Sequence, residues 1–175
     1  MTTAPHLLVE QALDLINHYS RRARSAAGDE GRGYRPLPEV VGEVAAEVPG
    51  AGVEDLHVLA DEAYEVFARA DAGEDVAPAV NALLAPAAPT PRLGADGAVV
   101  WEVADDQAAL RAALAITLLD WVHVRGAERL GLCNGIRCAD AFADASPAGR
   151  KKYCSTGCLN RHKVSEHRRR AAAGA

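Results

Sequence analysis

The sequence predicts a mostly α-helical protein that ends in a small basic module carrying all four of its cysteines. Apolar residues recur at helical spacing through most of residues 1–131, which predicts a helical N-terminal domain. Residues 91–103 combine a turn with β-prone side chains, which predicts a small β-hairpin within this domain. Residues 132–175 form the cysteine-bearing module, so we place the domain boundary between residues 131 and 132.

Four helices are predicted before the hairpin, over about 4–25, 37–48, 53–71 and 74–89. The first shows helical spacing of Leu7, Leu8, Ala12, Leu15, Ile16 and Tyr19. The third is the most clearly amphipathic, with an apolar stripe of Leu56, Leu59, Ala60, Ala63, Val66 and Phe67. Glycine and proline in "GDEGRGYRPLP" and "VPGAG" separate these helices.

The hairpin and a long apolar helix complete the N-terminal domain. A turn at Gly94–Gly97 precedes a β-prone run, and Asp105 or Asp106 can cap the helix that follows. That helix extends to about residue 129 and is apolar on most sides, so we expect it to be central to the core. Trp101 and Trp121 can line a pocket, but aromatic residues next to a hairpin are more often core residues, and we expect that position for them.

Charge divides the chain in the same place. The formal net charge is −5 and 49% of the residues are hydrophobic, as in a globular protein. Residues 1–131 contain 10 Arg, no Lys and 21 Asp or Glu, whereas residues 132–175 contain 9 Lys or Arg and 3 Asp or Glu. This asymmetry indicates that the C-terminal end binds nucleic acid or another anion.

Several classes of protein are not indicated. The start of the chain lacks a charged leader followed by an apolar stretch, and no run approaches the ~18 apolar residues of a membrane helix. We therefore expect a cytoplasmic protein without a membrane partner, in which thiols stay reduced. There is no P-loop, dinucleotide fingerprint or nucleophile elbow, so we do not expect an enzyme.

The cysteine spacing predicts a structural zinc site. Cys133 and Cys138 form one close pair, and Cys154 and Cys158 form a second after fifteen intervening residues. Two such pairs can supply four thiolates in a closed tetrahedral site, with Zn–S bonds of about 2.3 Å. Zinc also supplies the folding energy that so short a module lacks, so we expect residues 132–175 to unfold together when a cysteine is lost, while the helical domain stays folded. Two disulfides, unrelated thiols and a redox-sensing zinc site are the alternatives.

The segment "KKYCSTGCLNRHKVSEHRRR" predicts a basic helix fixed at one end by the metal. Ser155 or Thr156 can cap it, and it runs to about Ala172. We expect a basic face directed away from Cys158, since between Arg150 and the end of the chain the only acid is Glu166. The residues predicted to contact DNA are Arg150, Lys151, Lys152, Asn160, Arg161, Lys163, His167, Arg168 and Arg170.

The predicted DNA contacts fall into two groups according to their expected role. Lys151, Lys152, Arg168 and Arg170 are expected at phosphates, and Asn160, Arg161 and Lys163 nearer to base edges. We expect Arg137 and Arg169 to face elsewhere. An alternative for Arg161 is a structural brace that pairs with Asp144, and an alternative for the whole helix is an ordinary solvated surface.

The module resembles the CGNR zinc finger. Phe142, Asp144 and Ser146 match its connecting stretch, Arg150–Tyr153 its basic-aromatic run, and Cys158, Asn160 and Arg161 three of its four signature residues; Leu159 stands where the family has Gly. Proteins with this finger usually carry an N-terminal ABATE domain, described as a stress-induced transcription regulator, and "ALDLINHYS" resembles its opening. The resemblance implies a DNA-binding transcription regulator whose N-terminal domain senses a small-molecule ligand.

Two further expectations concern partners. Because one small module reads only a few base pairs, we expect a homodimer formed through the N-terminal domain. The alternative function is a zinc-stabilised module that binds RNA or a protein, with the helical domain as a scaffold.

Overall fold

Most of the chain folds into helices that pack around one apolar core. The computed structural model describes residues 1–48 and 51–173. Within them lie seven α-helices: α1 (Val9–Tyr19), α2 (Arg21–Ala27), α3 (Leu37–Val41), α4 (Val53–Asp71), α5 (Ala77–Ala87), α6 (Asp106–Arg125) and α7 (Thr156–Ala173). Short 3-10 helices span Gly42–Glu47 and Ala127–Arg129. Helix α4 packs against α1 and α5, and α5 packs against α6, so the predicted mostly helical fold class is confirmed.

The first predicted helix is in fact two helices. Ser20 has an extended backbone and ends α1, and its Oγ atom accepts a hydrogen bond from the Ala23 amide at 3.4 Å, which caps α2. The residues before α1 are not helical because Ala4 donates to the Trp101 carbonyl at 2.8 Å and joins a sheet. Local periodicity does not reveal that sheet contact.

Two other helices end earlier than predicted, and a glycine follows the last residue of each. Helix α3 ends before Gly42, which has φ of 66°, and α6 ends before Gly126, which has φ of 93°. The predicted bounds of α4 agree with the structure, and all six residues of its apolar stripe are buried. No helix in the described parts of the chain is both long and apolar enough to cross a membrane.

The predicted hairpin is confirmed and gains a third strand. Strands β2 (Thr90–Leu93) and β3 (Val99–Val103) pair antiparallel, and β1 (Thr2–Thr3) pairs with the other edge of β3. The sheet order is therefore β1-β3-β2. Trp101 and Trp121 are partly buried and line a surface groove, and Trp121 also packs against the core.

A second small sheet ties the cysteine-bearing module to the helices. Strand β4 (Leu130–Leu132) pairs antiparallel with β5 (Ala141–Ala143), and Gly131 lies opposite Phe142. A Cβ atom on Gly131 would lie 3.0 Å from the Phe142 ring, so a larger residue there would have to displace that ring. Strand β4 packs on α4 and β5 on α1. The predicted domain boundary falls within β4, and the two regions share one core.

Candidate metal centre

The four cysteines converge on one point. Their Sγ atoms all lie within 4.8 Å of one another. The Sγ atoms of Cys138 and Cys154 are 3.7 Å apart, and those of Cys154 and Cys158 are 3.4 Å apart. A tetrahedral site with Zn–S bonds of about 2.3 Å places its sulfurs roughly 3.8 Å apart, whereas a disulfide bond is about 2 Å long. The arrangement fits a Zn²⁺ site and not the disulfide alternative.

The first cysteine pair lies in a tight turn after β4. Cys133 donates its amide to the Asp140 carbonyl at 2.9 Å, and Cys138 donates to the Gly135 carbonyl at 3.2 Å. A Cβ atom on Gly135 would lie 3.2 Å from Cys133 Sγ and 3.1 Å from Cys158 Cβ. The turn approaches the second pair this closely because residue 135 has no side chain.

The second pair is positioned by the start of α7. Ser155 Oγ accepts a hydrogen bond from the Cys158 amide at 3.2 Å, so Ser155 is the helix cap. Cys158 therefore lies in the first turn, where the helix dipole favours a thiolate. The Cys154 amide donates to Cys133 Sγ at 3.2 Å and so links the two pairs.

The buried thiols of the cluster favour their neutral form when no cation is bound. Burial raises the pKa of the Cys138 thiol, and burial raises that of Cys154 to about 12. Zinc reverses this preference, because a coordinated thiol loses its proton. Four thiolates around Zn²⁺ carry a net charge of −2, so nearby hydrogen-bond donors and positive charge stabilise the site.

Arg161 is one of these positive groups, and its predicted placement is wrong. It lies three residues after Cys158, on the same side of α7, and its guanidinium donates to Cys158 Sγ at 2.8 Å. It does not pair with Asp144. That carboxylate accepts from the amides of Ser146 and Lys151, each at 2.9 Å, and the bonds from Ser146 and then Lys151 lower its pKa to about 2.

The stretch that connects the two cysteine pairs thus fixes the shape of the loop that leads into the basic residues. Asp144 is buried and holds both ends of the segment from Ser146 to Lys151. The Lys151 ammonium lies 5.3 Å from the centre of the Phe142 ring and donates to the Ala143 carbonyl at 3.3 Å. Lys151 therefore has a structural role beside its predicted contact with phosphate.

The basic side chains reach the surface on and before α7. Exposed positions include all nine predicted contacts: Arg150, Lys151, Lys152, Asn160, Arg161, Lys163, His167, Arg168 and Arg170. Arg169 pairs with Glu166 at 2.7 Å. Arg137, which we expected to face elsewhere, lines one groove together with Arg161 and Arg168, so that expectation is wrong.

Sequence reasoning missed the residues that dock the module. Asn17 Nδ2 donates to the Ala141 carbonyl at 3.0 Å, and the Ala141 amide donates to Asn17 Oδ1 at 2.7 Å. The Tyr64 hydroxyl donates to the Ala139 carbonyl at 2.7 Å, next to Cys138. These partners lie 124 and 75 residues apart in the chain, so no local motif could indicate them.

Comparison with known proteins agrees with this geometry. Leu159 is half-buried on α7, and its amide donates to the Ser155 carbonyl at 3.2 Å, so the helix accommodates a side chain there. A search of curated proteins finds no match to the chain. Residues 129–171 match the family model described as the CGNR zinc finger, and the four cysteines clustered within them fit a Zn²⁺ site.

Proposed function

We propose that the protein is a DNA-binding transcription regulator. In this proposal the zinc-stabilised module binds duplex DNA, and residues 1–131 form an ABATE-like domain that responds to a small ligand. The observation that carries the proposal is the character of α7, which is held at one end by Cys158 and presents its basic side chains outward.

Helix α7 buries few of its side chains against the rest of the protein. Of its described side chains, Cys158 is the only one that is buried. The helix carries five Lys or Arg, one Asp or Glu and no apolar stripe, and three further cations precede it in Arg150–Lys152. A helix that is polar all round gains little from tertiary packing. An anionic partner such as DNA would neutralise this charge and release counterions.

A cavity in the helical domain supports the ligand-sensing part of the proposal. It has a volume of about 310 Å³ and lies between α4 and α6. Leu56, Leu59 and Leu110 form apolar parts of its wall, and Asp55 and Arg111 add polar groups. Small-molecule sites combine an apolar lining with a few such groups.

Fluorescence anisotropy with labelled random-sequence duplex DNA tests the proposal. The zinc-loaded protein should bind, and removal of zinc with a chelator should abolish binding, because α7 loses its anchor. Selection from genomic fragments should enrich one DNA motif. Binding that is unchanged by the chelator, or selection without enrichment, would count against a specific regulator.

RNA and protein partners are distinguished by competition. Single-stranded RNA should displace the labelled duplex only at much higher concentration than unlabelled duplex does. Stronger competition by RNA would favour the RNA-binding alternative. A zinc-loaded protein that binds neither nucleic acid would leave a protein-interaction module as the better account.

A further inference from the structure

The first cysteine turn and α7 enclose a groove that sequence reasoning did not anticipate. Ile136 and Arg137 form one wall, and α7 forms the other with Arg161, Val164 and Arg168. We call this the knuckle groove, and its volume is about 590 Å³. Arg137 is exposed and adopts φ of 52°, a conformation uncommon for residues other than glycine.

The charges in the knuckle groove have one sign. Its lining includes three arginines and no carboxylate. Within the described residues, neither Arg137 nor Arg168 forms an ion pair, since the salt bridges involve other side chains. Guanidinium groups bind phosphate oxygens in forked geometry. The groove is therefore suited to a phosphate-bearing ligand.

The walls of the knuckle groove also carry apolar side chains. Ile136 and Val164 are 42% and 50% exposed, although both are large aliphatic side chains. The carbon face of a sugar can lie against such side chains while the adjoining phosphates reach the arginines. A phosphodiester strand has this alternation of apolar and anionic groups.

We propose that the knuckle groove binds the phosphodiester backbone of the DNA, with Arg137 as a phosphate contact. The proposal rests on the proposed function and extends it, because it adds a contact from the first cysteine turn to those from α7. The DNA then touches both halves of the zinc site, so the metal orients two contact surfaces relative to one another.

Arg137→Ala and Arg169→Ala form a matched pair for the test. Each removes one exposed positive charge from the module, but Arg169 lies outside the knuckle groove and pairs with Glu166. Duplex affinity is measured by anisotropy at several salt concentrations, with zinc content checked by metal analysis. Arg137→Ala should lower affinity several-fold and make the slope of log affinity against log salt shallower by about 0.9. Arg169→Ala should leave the slope nearly unchanged.

The outcomes of this experiment test the groove proposal and the DNA-binding proposal separately. If the wild-type protein binds duplex DNA but Arg137→Ala binds equally well, or loses no more than Arg169→Ala does, the groove proposal is overturned and the DNA-binding proposal stands. If the wild-type protein binds no duplex, both are overturned.

A second groove, far from the cysteines in sequence, leads to an independent proposal. It lies between the N-terminal segment, β3 and the second half of α6, with a volume of about 930 Å³. Leu8, Val99 and Val124 line it and are 53%, 58% and 72% exposed. We call this the α6 face. So much exposed apolar surface in one place is typical of an interaction site.

The charges on the α6 face suit a copy of the same surface. Glu10, Asp120 and Arg125 line it, and within the described residues none of them forms an ion pair. A contact of this face with a second copy of itself would bring carboxylates and guanidinium groups from both copies into one interface. A two-fold interface requires this kind of self-complementarity.

We infer that the α6 face binds a second copy of this chain and forms a homodimer. Sedimentation velocity of the zinc-loaded full chain should show a dimer, and Val124→Asp should convert it to a monomer. Val58→Asp is the matched control, because Val58 is also an exposed helical valine, 45% exposed, and lies outside the α6 face. The Val58→Asp variant should remain dimeric.

Charge reversal tests whether these charged groups contribute to the contact. Asp120→Arg should weaken the dimer, and adding Arg125→Asp to that variant should restore it. A monomeric wild type, equal dissociation in Val58→Asp, or no recovery in the double variant would overturn the inference. A monomer that binds the dye anilinonaphthalene sulfonate, with binding lost in Val124→Asp, would also overturn it and assign the groove to a small ligand.

Discussion

The guanidinium of Arg161 lies 2.8 Å from the Sγ atom of Cys158, one helical turn after it on α7. The same side chain lines the knuckle groove. The metal site and the proposed nucleic-acid surface therefore share a residue, and they are not on opposite faces of the helix as the sequence suggested. Loss of the Arg161 side chain should therefore weaken both zinc binding and nucleic-acid binding.

Arg161→Ala should release zinc to a colorimetric chelator faster than the wild type. Removal of a hydrogen-bonded group that supports a metal ligand typically costs about 10–100-fold in metal affinity. Lys163→Ala is the control, because Lys163 is exposed on the same helix and lies outside the knuckle groove. Equal release rates for the two variants would show that Arg161 does not support the metal.

Gly135→Ala should weaken zinc binding without any change of charge. Its Cβ atom would lie 3.2 Å from Cys133 Sγ and 3.1 Å from Cys158 Cβ, so the first turn would have to move away from α7. Metal analysis after dialysis should show less than one zinc per chain. Gly33→Ala is the control, since a Cβ atom there meets nothing within 4 Å. Full zinc retention in Gly135→Ala would mean that the turn relaxes easily.

Tyr64→Phe should lower the free energy of unfolding by about 0.5–1.5 kcal/mol, the usual range for one hydrogen bond. The variant leaves the Ala139 carbonyl, beside Cys138, without its 2.7 Å partner. Urea denaturation measures the change. Tyr34→Phe is the control, because the stacking of the Tyr34 and Tyr19 rings survives the substitution. A loss no larger than that of the control would contradict the docking role of Tyr64.

The same tyrosine predicts a pH dependence. Burial raises the pKa of Tyr64 to about 12, whereas an exposed tyrosine has a pKa of about 10. The unfolded state therefore loses the proton first, so this contribution to stability is complete below pH about 10 and is lost as the pH rises through about 12. The wild type should lose more stability over this interval than Tyr64→Phe. Parallel pH profiles would refute the assignment.

Removal of zinc should unfold only part of the cysteine-bearing module. The sequence suggested that residues 132–175 would unfold together, but Leu130, Ala141 and Ala143 are buried in the core shared with the helices. Hydrogen exchange after chelation, or in Cys138→Ser, should therefore show lost protection in the cysteine turns and α7. Strands β4 and β5 should stay protected. Equal loss in the two strands would show that the metal stabilises the whole module.

Lys152→Ala should weaken binding to all DNA duplexes alike. If about four to six phosphates are contacted, log affinity should fall against log salt with a slope of roughly −4 to −5, and the variant should be shallower by about one. Arg32→Ala is the control, since this exposed arginine lies in the helical region and pairs with Asp29. A changed sequence preference in Lys152→Ala would instead indicate a base contact.

The sequence alone determined the features that depend on short spacings. The amphipathic helix α4, the hairpin of β2 and β3, the cap at Ser155 and the two close cysteine pairs all follow from short sequence patterns. Hydrophobic periodicity, turn chemistry and tetrahedral ligand geometry act over such distances. The basic character of the C-terminal end followed from composition.

Only the tertiary structure decided which distant residues meet. The hydrogen bonds of Asn17 and Tyr64 to the cysteine-bearing module and the pairing of β4 with β5 join segments whose local patterns give no sign of one another. The same is true of Arg137 beside α7, because the convergence of the two cysteine pairs places the first cysteine turn against this helix. Such contacts depend on the packing of the whole chain, which no local spacing encodes.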